Sequence, residues 1–153
     1  MAVKAVPEGY HTATPYLIVK GASEAIEFCG KAFGAKELMR FADTDGKVGH
    51  AEMQIGNSRI MIADEYPEMG FRGPKTLGGS SVLILLYVED VDECFARAIA
   101  AGGKVLKPVA DQPYGDRAGT LSDPFGHLWS IATHIEDLSQ EEIERRFEAS
   151  SKG

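Results

Sequence analysis

The chain has 153 residues, 44% hydrophobic and 25% charged, with 17 Gly and 7 Pro, the make-up of an ordinary globular domain rather than of a disordered or fibrous chain. A net charge of −7 and a pI near 5.1 leave no basic field for phosphates to neutralise, which argues against nucleic acid and against an acidic membrane surface as partners. The longest apolar run, Val82 to Val88, is far short of the roughly 20 residues that cross a bilayer, and the N-terminus has no apolar signal core, so the sequence predicts a cytoplasmic protein.

A polar lead, Met1 to His11, holds Pro7 and Gly9 and reads as irregular. Thr14 to Val19 is β-branched and aromatic, which predicts a strand. Ser23 then stands at a capping position ahead of Ala25, Ile26, Phe28 and Cys29, apolar at helical spacing, and Gly34 closes the helix after Phe33. Lys36 to Phe41, Val48 to Ile55 and Ser58 to Ala63 predict three more strands, separated by the turn residues Asp43-Thr44-Asp45-Gly46 and Gly56-Asn57. Glu65 to Ser80 carries Pro67, Pro74, Gly70, Gly73, Gly78 and Gly79 and reads as a connector or lid.

The second half repeats this order. Leu85-Leu86-Tyr87-Val88 predicts a strand, and Asp90 and Glu93 have the spacing of a capping box opening a helix that Gly102-Gly103 closes. Lys104 to Val109, Ala118 to Ser122 and His127 to His134 predict three strands, the last two joined by Asp123-Pro124-Phe125-Gly126. Ser139 and Glu142 repeat the capping-box spacing before Ile143 and Phe147, predicting a C-terminal helix over 139–149.

Val88 follows Val19, and Gly102 follows Gly34, at nearly the same interval of about seventy residues, so the chain is read as an internal repeat. Each copy is too small to bury a stable core alone. The predicted class is α+β: two tandem βαβββ modules with pseudo-two-fold symmetry, over 12–65 and 81–135, joined by a linker at 66–80 within one domain, 1–153. Cys29 and Cys94 fall inside the predicted helices among apolar neighbours and read as inert packing thiols.

A tandem of βαβββ units ending in Asp123-Pro124-Phe125-Gly126-His127-x-Trp129 resembles the vicinal oxygen chelate superfamily, which includes glyoxalases, bleomycin-resistance proteins and extradiol dioxygenases. Thr14-Pro15-Tyr16-Leu17, Ala25-Ile26-Glu27-Phe28, Gly49-His50-Ala51-Glu52 and Tyr114-Gly115-Asp116-Arg117 look like its PhnB-like branch, and the resemblance runs from Thr12 to Asp137. It implies two four-stranded sheets curled around a cleft, helices on the outer faces, and dimers. It also implies a divalent metal held by His or Gln on the first strand and Glu on the fourth strand of each module. Those places fall on Thr14, Met61, Leu83 and Ser130, none of them a normal ligand for Zn, Mn, Ni or Fe(II). No cofactor is therefore expected, and neither glyoxalase nor dioxygenase activity.

Strand alternation turns Thr14, Tyr16 and Ile18, then Arg59, Met61 and Ala63, toward the implied cleft, with Leu83, Leu85, Tyr87, Leu128, Ser130, Ala132 and His134 from the second module. The ligand-binding candidates are Thr14, Tyr16, Met61, Tyr87, Arg117, Ser130 and His134, with Arg117 as a fork for a carboxylate or phosphate. His50 and Glu52, at i and i+2 on one strand face, are a two-ligand metal fragment, and His134 is the other fallback ligand. The leading expectation is a metal-independent small-molecule binding protein, assembled as a homodimer through its apolar C-terminal helix face and open sheet edges. The alternatives are a divalent-metal-dependent lyase, isomerase or dioxygenase using the displaced ligands, and a structural or regulatory dimer with a filled cleft.

Overall fold

A computed structural model describes residues 2–151. The first module is β1 (Tyr16–Val19), α1 (Ala22–Phe33), β2 (Lys36–Ala42), β3 (Val48–Ile55) and β4 (Ser58–Asp64). Because β2, β3 and β4 form a meander and the helix crosses over, β1 pairs parallel to β4, giving the sheet order β1-β4-β3-β2. The linker forms a 3-10 turn at Pro67–Met69 and the one-turn helix α2 (Pro74–Leu77). The second module, β5 (Leu83–Tyr87), α3 (Val91–Ala100), β6 (Lys104–Asp111), β7 (Asp116–Ser122) and β8 (Leu128–His134), has the identical topology, β5-β8-β7-β6. α4 (Gln140–Ser151) follows. No helix of the described residues is long and apolar enough to cross a membrane.

The two crossover helices start by different means. α3 is capped as its sequence predicts, Asp90 accepting from the Glu93 backbone N–H at 3.1 Å. α1 is not capped by Ser23. Gly21 occupies the cap position with φ of 97°, a left-handed conformation suited to glycine. The Asp64 carboxylate, at the end of β4, accepts from the Gly21 and Ala22 N–H groups at 2.9 Å each, and from Val48 N–H at 2.7 Å. A residue distant in sequence thus does the work expected of a local one.

Each sheet has one face packed on helices and one open. On the packed side, Leu17, Val19, Met53, Ile60 and Ile62 of the first module join Leu121, Trp129 and Ile131 of the second in a single buried cluster with both helices. α1 and α3 pack on each other, and the fully buried Ala32 and Ala98 belong to this cluster; the Cys94 thiol donates weakly to the Ala32 carbonyl at 3.6 Å. Phe33 meets Trp129 at 4.7 Å between ring centroids, joining the first helix to the second sheet. Burial pushes the Cys29 thiol up to about 12, so it stays protonated.

The helices therefore lie on the side of each sheet away from its open face, as expected, but they meet one another between the sheets. The open faces carry Tyr16, Leu83, Leu85 and Tyr87 exposed. The helices meet because both modules place their continuous apolar side on the helix layer, and small residues let the layers approach.

Candidate functional site

On the open face of the first sheet, cross-strand pairing brings together side chains far apart in sequence. Tyr16 on β1 lies beside Met61 on β4, and Met61 lies beside Glu52 on β3. The Tyr16 hydroxyl hydrogen-bonds His50 Nδ1 at 2.7 Å, and His50 Nε2 bonds Glu52 at 2.8 Å. The Tyr10 hydroxyl, from the polar lead, donates to the other Glu52 oxygen, while Arg59 stacks over the Tyr10 ring at 5.0 Å and donates to Gln54 at 2.6 Å. The Tyr10 and His50 hydrogen bonds hold the Glu52 carboxyl below its ordinary value. Burial, with the Glu52 charge adding to it, holds the Tyr16 phenol above its own.

Beside this chain of hydrogen bonds the same face opens into a cavity of about 630 Å³. It is lined by Ile18, Gly49, Ala63 and Asp64 of the sheet, by Tyr16, and by Tyr66, Met69 and Phe71 of the linker. The linker holds this shape because Tyr66 and Phe71 bridge each other and the Glu65 carboxylate accepts from Gly73 N–H at 2.8 Å. Lys47 lies over the Tyr66 ring at 4.0 Å.

The open face of the second sheet carries a different constellation. Asp116, 3% exposed, accepts from the Tyr87 hydroxyl at 2.8 Å and from His134 Nδ1 at 2.7 Å. His134 Nε2 bonds Asp137 at 2.7 Å. With a carboxylate on each ring nitrogen, Asp116 foremost, His134 is held above its ordinary value. Nearby, Ser130 and Thr120 share a hydrogen bond of 2.8 Å.

The predicted site residues thus fall into two groups on two sheets: Tyr16 and Met61, joined by His50 and Glu52, and Tyr87, His134 and Ser130. Thr14 precedes β1, and it is Tyr16 that pairs with Met61, as Leu85 rather than Leu83 pairs with Ser130. Arg117 belongs to neither group. It sits on the helix-facing side of β7, its guanidinium held by Asp92 at 2.9 Å and Asp111 at 3.0 Å, so its fork is already filled by carboxylates. Sequence reasoning missed Asp116 and Tyr10. Counting outward from the Asp123–His127 turn in antiparallel register sets position 116 opposite 134, which the structure shows.

The metal of such folds does not fit these residues. Whichever register is taken, Thr14 or Tyr16 with Met61, and Leu83 or Leu85 with Ser130, offers hydroxyls, a thioether and alkyl groups. Among the described residues, no group of three or more His, Cys, Asp or Glu side chains is placed to hold a metal ion.

Paired βαβββ modules, each with its first and fourth strands parallel at one edge of an open-faced sheet, define the glyoxalase and bleomycin-resistance class of fold. The chain belongs to the Glyoxalase/Bleomycin resistance protein/Dioxygenase superfamily, whose family model matches residues 10–131. It is similar to Rv0887c of Mycobacterium tuberculosis, 41% identical over 143 residues, 92% of this chain and 84% of the relative. It is similar to the Arabidopsis thaliana gene product At5g48480, 32% identical over 77% of this chain and 76% of the relative. The X-ray structure of that product superposes with a TM-score of 0.67 at 28% identity, over 80% of this chain and 98% of that one. A PhnB protein from Bacillus cereus shares the fold, with a TM-score of 0.61 at 22% identity over 80% of this chain and 99% of that one.

Proposed function

We propose that this is a PhnB-like, cytoplasmic member of its superfamily that binds a small, partly aromatic molecule without a metal, and that a second copy of the chain covers its open faces. The observation that carries the reading is the cavity on the first sheet. At about 630 Å³, with aromatic and apolar lining and the Asp64 carboxylate and two tyrosines as its polar groups, it has the size and make-up of a small-molecule site.

The homodimer rests on the same faces. Leu83, Leu85 and Tyr87 form an exposed apolar row on β5, and Phe147 is exposed on α4, apolar surface that a partner can cover. A second copy supplies matching surface by symmetry. Light scattering at micromolar concentration should return twice the chain mass, and elemental analysis of the purified protein should find no stoichiometric metal. A monomer mass would remove the second copy from the site. One tightly bound metal per chain, held by His50, Glu52 or His134, would replace this reading with the metal-dependent enzyme.

A further inference from the structure

We propose that Glu52, His50 and Tyr16 form a metal-free proton relay serving the cavity on the first sheet, and that the relay selects a flat ligand bearing a weakly acidic hydroxyl, a phenol or an enol. The inference rests on the small-molecule reading above and assigns that site its chemistry.

Glu52 accepts from both Tyr10 and His50, so it serves as a fixed acceptor and is not free to act as the base. His50 Nε2 must then carry the proton that Glu52 receives, which leaves the neutral ring with its lone pair on Nδ1, facing the Tyr16 hydroxyl at 2.7 Å. Tyr16 is shared: its hydroxyl ends the relay and its ring walls the cavity. Since the Tyr16 proton is committed to His50, the phenolic oxygen presents its remaining lone pair to a ligand. A ligand hydroxyl there passes its proton to the Tyr16 oxygen as Tyr16 passes its own to His50 Nδ1. The ligand becomes an anion hydrogen-bonded by Tyr16, and the imidazolium is retained beside the Glu52 carboxylate. Two protons each move once, the ligand O–H and the original Tyr16 O–H breaking as a new Tyr16 O–H and the His50 Nδ1–H form, so the net change is one proton carried from ligand to His50.

The orienting carboxylate, imidazole and terminal hydroxyl follow the logic by which a base is held in one tautomer for its partner. The other groups around the relay are consistent with it. Arg59 on β4 acts on Glu52 by its charge, Tyr10 comes from the lead, and the cross-strand neighbour of His50 on β2 is Phe41, which does not titrate. A carboxylate ligand has no proton to give at neutral pH and would meet the Asp64 carboxylate that lines the cavity, so the site favours weak acids over strong ones.

The test uses the full chain with para-nitrophenol, whose ionised form absorbs visibly, and para-nitroanisole, its methyl ether, which has no such proton to give. Wild-type protein should bind both, and bound para-nitrophenol should show a phenolate-to-phenol ratio about tenfold above that in free solution at the same pH. Tyr16→Phe and His50→Gln should each return that ratio to its free-solution value, while circular dichroism shows both variants folded. If both probes bind and the ratio stays at its free-solution value, the relay is wrong and the binding site stands. If neither probe binds, both readings fall.

Discussion

Single carboxylates organise much of this molecule. Asp123 accepts from the Phe125 and His127 N–H groups and from the buried Trp129 indole at 2.9 Å, so one side chain ties the last hairpin turn to the core. Asp123→Ala leaves those donors without their acceptor and should cost about 3 kcal/mol; an unchanged urea midpoint would contradict this. Asp116 does the comparable work on the open face. Because it raises His134 above the ordinary value of 6.5, the protonated imidazole favours the folded state. That contribution is fully present below the unfolded value and is lost as pH rises through the raised folded value. An NMR titration should place the His134 midpoint above 6.5, and Asp116→Asn should bring it down; a midpoint unmoved by that substitution would show that Asp116 does not set it. The Asp123 turn bonds are local and legible in Asp123-Pro124-Phe125-Gly126, whereas the Asp116 role needs the β7–β8 register counted out from that turn. His50 and Glu52 are visible as an i, i+2 pair, but their link to Tyr16 depends on the order β1-β4-β3, which only folding supplies.

At the level of elements, the repeat made the topology readable, and strand ends fall within about two residues of those expected. The register of β1 was harder to read. Pro15 has no N–H to give to a ladder, and its carbonyl accepts from Met61 N–H at 3.0 Å, so the strand begins at Tyr16. The meeting of α1 with α3 was not readable, because apolar alternation marks a buried face without naming what covers it. That seam makes a sharp prediction. Ala32 and Ala98 have no exposed surface, so Ala32→Leu or Ala98→Leu should overpack it and cost about 2 kcal/mol. By contrast α4 buries no side chain in its own chain, and Phe147→Ser should alter the stability of the folded chain by less than about 0.5 kcal/mol. A denaturant midpoint that falls as far for Phe147→Ser as for Ala32→Leu would mean that α4 docks on its own chain.

For the whole molecule, packing the two helix layers together leaves two open sheet faces, and the faces differ. The first carries an aromatic-walled cavity and a carboxylate–imidazole–phenol chain. The second carries a buried aspartate between a tyrosine and a histidine. On neither face do the paired positions Tyr16–Met61 and Leu85–Ser130 carry a normal ligand for a divalent ion. The central claim is therefore that binding needs no metal, and calorimetric titration of the full chain with para-nitroanisole, before and after exhaustive dialysis against a chelator, tests it most directly. The same affinity should be found in both. Loss of binding on chelation, restored by Ni, Zn, Mn or Fe(II), would contradict the claim and return the protein to the metal-dependent members of its superfamily.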